Sequence, residues 1–229
     1  MTPVDRVAVI LGVRDGERYL AEALDSVLGQ TRPPDEVVVV DDGSKDGTAA
    51  IADGYGPAVR CIRRPPEGPA AVVNAGVRAT TGELIGFLDA DDIWIPTKLE
   101  LQCDAIDRDR SLDMVFGAVE QFFSPELGPT SRAGLRAPGP AVPGKLRGTM
   151  LVRRTSFERV GAFDPERTIA EFVDWYARAT EHGLHEEMLP QVLLRRRLHE
   201  RNLGRTKREL RTEYARVLGA ALRRRSRQP

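Results

Sequence analysis

The stretch Gly82-Glu83-Leu84-Ile85-Gly86-Phe87-Leu88-Asp89-Ala90-Asp91-Asp92 decides how the chain is read. Its apolar run, Leu84 to Leu88, stops abruptly at three carboxylates within four residues. A short continuous apolar run reads as a strand buried on both faces, as at the centre of a parallel sheet. The acids then stand where the strand leaves the sheet, and in open α/β sheets ligands bind at that carboxyl edge. Asp89 and Asp91 are two apart and project to one side of an extended chain, whereas Asp92 projects elsewhere. Two carboxylates on one side suit a hard divalent cation, magnesium or manganese, that can also grip a phosphate. An EF-hand calcium loop also begins Asp-x-Asp, but Ile93 and Trp94 stand where it needs further ligands and a glycine. For Asp92 an equal alternative is a cap on the helix opened by Pro96.

Upstream, Val7 to Leu11 and Val37 to Val40 are apolar throughout, and Tyr19 to Leu28 between them has helical spacing. Strand, helix, strand of this kind is a βαβ unit of a parallel sheet. The second strand runs into Asp41-Asp42-Gly43-Ser44-Lys45-Asp46-Gly47-Thr48, a polar loop that either binds a ligand or caps the next helix through Ser44 or Asp46. A dinucleotide fold also has an acid here, but it needs Gly-x-Gly-x-x-Gly after the first strand, and Gly12 and Gly16 have the wrong spacing. Val59 to Ile62 is a third strand and Ala70 to Ala79 a small-residue helix holding Asn74.

Downstream, Pro96 to Arg108 is an amphipathic helix and Leu112 to Phe116 a strand, which Val119 to Phe123 either continues or pairs with antiparallel. Ser124 to Gly144 is a Pro- and Gly-rich loop, of the length that often serves as a lid or binding segment. Thr149 to Val152 is a short strand and Arg154 to Val160 a short helix. In the helix Phe172 to Glu181, the spacing of Glu171, Asp174 and Arg178 puts them on one face. His185 to Leu194 suggests one or two short strands broken at Pro190. Arg195 to Arg197 is a basic run, either a solvated face or an attraction for an anionic donor. Thr206 to Leu222 is a basic amphipathic helix, compatible with contact to an anionic membrane surface.

The 229 residues are 41% hydrophobic, enough for one large domain or two small ones. Charge balances at 34 basic and 34 acidic residues, so the total suggests no nucleic-acid partner. Cys61 and Cys103 make no disulfide framework and read as small buried hydrophobes. The start lacks a basic segment followed by an apolar one, and no apolar stretch is long enough to span a bilayer, so a cytoplasmic protein is expected.

Together these motifs resemble the family 2 glycosyltransferases, from Val7 to about Asn202. The resemblance rests on Ser26-Val27-Leu28-Gly29-Gln30-Thr31, Asp41-Asp42-Gly43-Ser44 with Asp46-Gly47-Thr48, Asn74-Ala75-Gly76, Thr81-Gly82-Glu83 and Asp89-Ala90-Asp91, in that order. It implies a GT-A fold, α/β with a mostly parallel central sheet, as one domain over residues 1–204. Its nucleotide-binding half would be about 1–117 and its acceptor half about 118–204, with residues 205–229 a basic tail. It further implies inverting transfer of a sugar from a nucleoside-diphosphate donor, most often a UDP-sugar, to an acceptor that no motif identifies. Asp41, Asp42, Asn74, Asp89, Ala90 and Gly148 would line the donor site. Asp89, Asp91 and His199 would hold manganese or magnesium. Glu171-Phe172 stands where the family carries a Glu-Asp pair, so either Glu171 or Asp174 would be the catalytic base, with Glu171 preferred. Where the family often has an Arg beside Asn74 stands Val73, so a donor contact would have to come from elsewhere, such as Arg63 or Arg64. Two other classes stay open: a nucleotidyltransferase, and a nucleotide-sugar-binding protein with weak or no catalysis.

Overall fold

The computed structural model describes residues 5–128, 138–167 and 170–199, with Arg132 and Gly219 singly. Among these residues nine strands form one sheet: β1 (Val7–Val13), β2 (Glu36–Asp41), β3 (Arg60–Arg63), β4 (Leu84–Asp89), β5 (Ile93–Trp94), β6 (Met114–Phe123), β7 (Val142–Gly144), β8 (Leu151–Arg153) and β9 (Glu186–Leu198). Among the described residues six α-helices connect them: α1 (Leu20–Leu28), α2 (Thr48–Gly54), α3 (Pro69–Arg78), α4 (Lys98–Arg108), α5 (Arg154–Val160) and α6 (Glu171–Glu181). The strand order is β3-β2-β1-β4-β8-β6-β9-β5, with β7 on β6. Strands β1 to β4 pair in parallel, β8 runs against β4 and β6, and β9 is parallel to β6. Six of the nine strands (β1 to β4, β6, β9) therefore run one way, as the sequence predicts, while β5, β7 and β8 oppose them. The register aligns Gly12 with Asp89 and Val13 with Asp41, which brings the acidic strand ends to one edge.

Alternation along the strands fills two cores. Val7, Val9, Leu11 and Val13 of β1 pack with α1 and α4 on one face, while Ile10 packs with α3, α5 and α6 on the other. That division explains why the strands read as continuous apolar runs: neither face meets water. Gly76 of α3 is one place where close approach demands glycine, since a Cβ there would lie 2.4 Å from Ile10 Cγ2. Gly86 of β4 is another, because the Trp94 ring lies over it.

One open strand reading is resolved and one strand expectation is corrected. Val119 to Phe123 continues β6 without a reversal. β9 runs unbroken through Pro190 as a 13-residue strand. Its register against β6 jumps from Phe116–Met188 to Ala118–Val192, so the residues around Pro190 bulge outward. Proline has no N–H to give the ladder, and a bulge is where a strand tolerates it. Of the Ser124 to Gly144 loop, the last three residues form β7, and much of its middle lies outside the described residues, as does the Thr206 to Leu222 segment apart from Gly219. No helix among the described residues is long and apolar enough to cross a membrane.

Lys98 breaks the amphipathic pattern of α4, being fully buried beneath the sheet. Its ammonium donates to Gln102 Oε1 at 2.5 Å and lies 4.1 Å from the Trp94 ring centre. Burial lowers its pKa to about 7 from 10.5. Between those values the unfolded chain holds a proton that the folded chain lacks, so stability rises with pH. Cys103 and Tyr55, both pushed up to about 12 by burial first, act in the opposite direction above 9.0 and 10.0 respectively. Those two groups leave pH 7 to 9 to Lys98, whose slope is up to about 1.4 kcal/mol per pH unit, opposed over its own range by Asp92, whose carboxyl burial also raises. Lys98→Met should raise the urea midpoint at pH 7 and flatten this rise. An equal slope in the variant would place the proton on another group.

Candidate active site

The loops after β1 and β2 are fastened to each other. Asp15, with a positive φ of 49°, donates its N–H to Ser44 Oγ at 2.9 Å and accepts the Lys45 N–H at 2.8 Å. Gly16 N–H donates to Thr48 Oγ1 at 2.8 Å, and Gly47 N–H to Glu17 Oε2 at 3.0 Å. Asp41, buried, accepts the Ser44 N–H at 2.9 Å. Asp42, also buried, accepts the N–H groups of Glu67 and Gly68 at 2.7 and 3.2 Å, which pins the 64–68 loop at the start of α3. Asp46, rather than Ser44, accepts the Thr48 N–H at the start of α2. Asn74 uses both ends of its amide on Phe163, donating to its carbonyl at 2.8 Å and accepting its N–H at 3.0 Å. It thereby ties α3 to the α5–α6 connection. Arg63 pairs with Asp53 and Arg64 with Glu67.

The two Asp-x-Asp acids take different hydrogen-bond partners. Asp91 Oδ2 lies 2.8 Å from His199 Nε2. The pairing of β5 with β9, Ile93 with Arg195 and Trp94 with Leu194, brings His199 there. The His199 ring lies 4.9 Å from that of Tyr19. Asp92 does not cap α4, which begins at Lys98 after Thr97 with no side-chain cap. It accepts the Arg197 N–H at 2.8 Å instead. Burial, then Asp91 and Asp89, push the Asp92 carboxyl well above its usual range. Arg197 is itself buried: its Nε donates to the Asp91 carbonyl at 2.9 Å, and its guanidinium lies between the rings of Phe122 and Tyr19, 4.6 and 4.9 Å away. Its place is thus neither solvent nor an open steering surface. Ala90 packs into the core, and Gly148 gives its carbonyl to Trp94 Nε1–H at 2.9 Å.

Asp89 instead meets Arg147, a residue the sequence reading did not single out. The Arg147 side chain is 13% exposed. Its Nη2 pairs with Asp89 and its Nη1 donates to Glu171 Oε1 at 3.0 Å. Burial works to lower its pKa, but Asp89 and Glu171 outweigh that and the value rises. Glu171 opens α6 and is 8% exposed. Asp174 is engaged elsewhere on that helix, accepting Arg178 Nε–H at 3.0 Å while Arg178 holds the carbonyls of Val160 and Ala162. Phe172 packs against Phe116 and Tyr176. The structure therefore joins Asp89 and Glu171 through Arg147 and Asp91 to His199, and the Asp91 charge also helps to raise the Arg147 pKa.

Among the described residues no three His, Cys, Asp or Glu converge as a ready metal cluster. The fit to a divalent cation rests on two ligands, a carboxylate and an imidazole, beside a buried carboxyl already disfavoured by its acidic neighbours. Oxygen and imidazole donors suit manganese, and carboxylate-rich sites suit magnesium.

Breaking a buried ion pair by removing one partner strands the other charge. Arg147→Met should therefore cost about 3–5 kcal/mol by urea unfolding, with Glu171→Gln in the same chain restoring most of it. A loss of under about 1 kcal/mol would mean the bridge is solvent-screened.

A family profile described as glycosyl transferase family 2 matches residues 8–161. Over 206 residues the chain is 27% identical to the uncharacterized glycosyltransferase RT0329 of Rickettsia typhi, covering 85% of this chain and 64% of the relative. It is 28% identical over 200 residues to the putative glycosyltransferase EpsE of Bacillus subtilis, covering 82% and 71% of the two. The chain spans less than two thirds of several curated relatives, 34% in the case of one from Rickettsia felis. S. aureus TarS 1-349, solved in complex with UDP-GlcNAc, superposes with a TM-score of 0.70 at 21% identity, covering 85% of this chain and 59% of that one. That likeness supports the expected GT-A fold. The profile spans more than half of the chain and shows that the chain belongs to glycosyl transferase family 2.

Proposed function

We propose that the chain is a metal-dependent, inverting glycosyltransferase that takes its sugar from a UDP-linked donor. The observation that carries this reading is the Asp89–Arg147–Glu171 bridge, which sets a buried carboxylate beside the Asp-x-Asp strand end. Support for the donor comes from the TarS structures, which contain UDP and UDP-GlcNAc. Asp41, Asp42 and the loops they pin would form the nucleotide side of the donor site. Asp91 and His199 would hold a manganese or magnesium ion, which when bound supplies Lewis-acid stabilisation to a diphosphate leaving group.

The chain's own part in the reaction is proton removal. In a displacement with inversion the acceptor hydroxyl loses its proton as it attacks the anomeric carbon. A carboxylate within hydrogen-bond reach takes that proton and contributes typically ~10²–10⁴-fold. Glu171 fills this role better than Asp174, which is committed to Arg178 and the α5–α6 turn. The packing of Phe172 in the place of a second acid favours one alternative, a nucleotide-sugar-binding protein with little transfer.

Calorimetry with UDP, GDP, CDP, dTDP, ATP and NAD, each with and without manganese, tests the donor class. One nucleoside diphosphate should bind only with metal, and Asp91→Ala should abolish it; binding indifferent to both would remove the metal assignment. For the base, slow hydrolysis of UDP-GlcNAc to UDP serves as a probe. Glu171→Gln should lower it by roughly 10²-fold or more and Asp174→Asn by far less, provided both variants fold. The reverse order would transfer the role to Asp174. Tight donor binding without hydrolysis in the wild type would favour the binding-protein alternative.

A further inference from the structure

Resting on the reading of Glu171 as base and Asp89 as a donor-side acid, we infer that Arg147 is a positioning residue that joins the two. One guanidinium holds both carboxylates, so the seating of the donor and the orientation of the base are mechanically and electrostatically one event.

The backbone that carries Arg147 is held on several sides. It forms a 3-10 turn, Arg147–Thr149, between β7 and β8. Trp94 Nε1–H donates to the Gly148 carbonyl at 2.9 Å, and Gln102 Nε2–H donates to the Thr149 carbonyl at 2.8 Å and to that of Val115 at 2.7 Å. Thr149 Oγ1–H reaches the Gly144 carbonyl at 2.5 Å. Trp94 sits five residues after Asp89, so the turn that carries Arg147 is bonded to the segment that carries the Asp-x-Asp acids. From this fixed base the side chain reaches across to the first residue of α6.

The chemistry of the side chain fits the task. A guanidinium stays charged at any working pH and presents its donors in a rigid planar fork, so two carboxylates can be held at a fixed relative spacing. An ammonium is a point charge that cannot fix that spacing. Buried ion pairs contribute little net stability, so a buried cation shared by two acids at this edge is better explained by what it orients. Of the other cations nearby, Arg195 pairs with Glu120 and Lys145 with Glu186, while Arg197 pairs with Glu22 and braces Asp91 and Asp92 through its Nε–H and backbone N–H, and Arg196 acts on Asp92 through its charge.

The test is a double-mutant cycle on the full chain, read as the Kd of UDP with manganese by calorimetry. The variants are Glu171→Gln, Arg147→Met and the pair, each checked for folding by thermal melting. If Arg147 transmits between the sites, the factor by which Glu171→Gln changes Kd should differ about threefold or more between the wild-type and Arg147→Met backgrounds. Equal factors overturn the inference. Arg147→Lys, which keeps the charge but not the fork, carries the same cycle if Arg147→Met does not fold; it should also show the departure, and in UDP-GlcNAc hydrolysis should lower kcat more than it raises KM. A merely structural arginine would lower the melting temperature and leave both the cycle and that split unmoved. Absence of any UDP binding by the wild type would instead overturn the donor reading, and this inference with it.

Discussion

Asp89, Asp91 and Asp92 fall within four residues at the end of a strand that is buried on both faces, and their mutual repulsion governs everything around them. Carboxylates so crowded, in partly desolvated surroundings, need cations or protons. The protein answers three times: Arg147 reaches Asp89, His199 reaches Asp91, and Asp92 takes a backbone N–H while its proton affinity rises. Each answer comes from a distant part of the chain. The acidic edge is thus one of the points, beside the β4–β8 pairing and the Asn74–Phe163 bonds, at which the second half of the molecule is fastened to the first.

This explains why the later strands depart from the parallel pattern. β8 runs against β4 and inserts between it and β6, which places the Arg147 turn against the strand end. β9 then runs 13 residues beside β6 and ends where residue 199 meets Asp91. The bulge around Pro190 shifts the register of β9 so that Arg195 and Leu194 align with β5. Sheet geometry, and no single motif, puts the histidine in place.

Much of this was legible in the sequence, and the reasons for what was not are physical. The buried strands β1, β2 and β4 declare themselves because a strand covered on both faces must be apolar throughout, and the helices between them keep a 3.6-residue period. Motif order along the chain pointed to the family and to the carboxylates. Long-range partnership left no trace of that kind. Arg147 lies 58 residues from Asp89 and 24 from Glu171, with nothing local to mark it except the glycine that follows. Arg197 stood in a basic run that resembled a solvated face, yet its backbone and guanidinium brace Asp92 and Asp91. Lys98 looked like the polar side of a helix and is buried beneath an indole. A charge satisfied through tertiary contacts carries no periodicity.

The two tryptophans also divide the molecule in a useful way. Trp94 belongs to the core on one face of the sheet and Trp175 to the core on the other. Trp94 has an ammonium over its ring and its N–H on the carbonyl next to Arg147, while Trp175 lies stacked on Phe157 with its N–H on Gly161. Each half of the interior therefore owns a single indole in a distinct electrostatic setting. With one replaced by phenylalanine, the emission of the other becomes a local optical signal: one indole reports on the floor of the acidic edge, the other on the helical layer that backs Glu171.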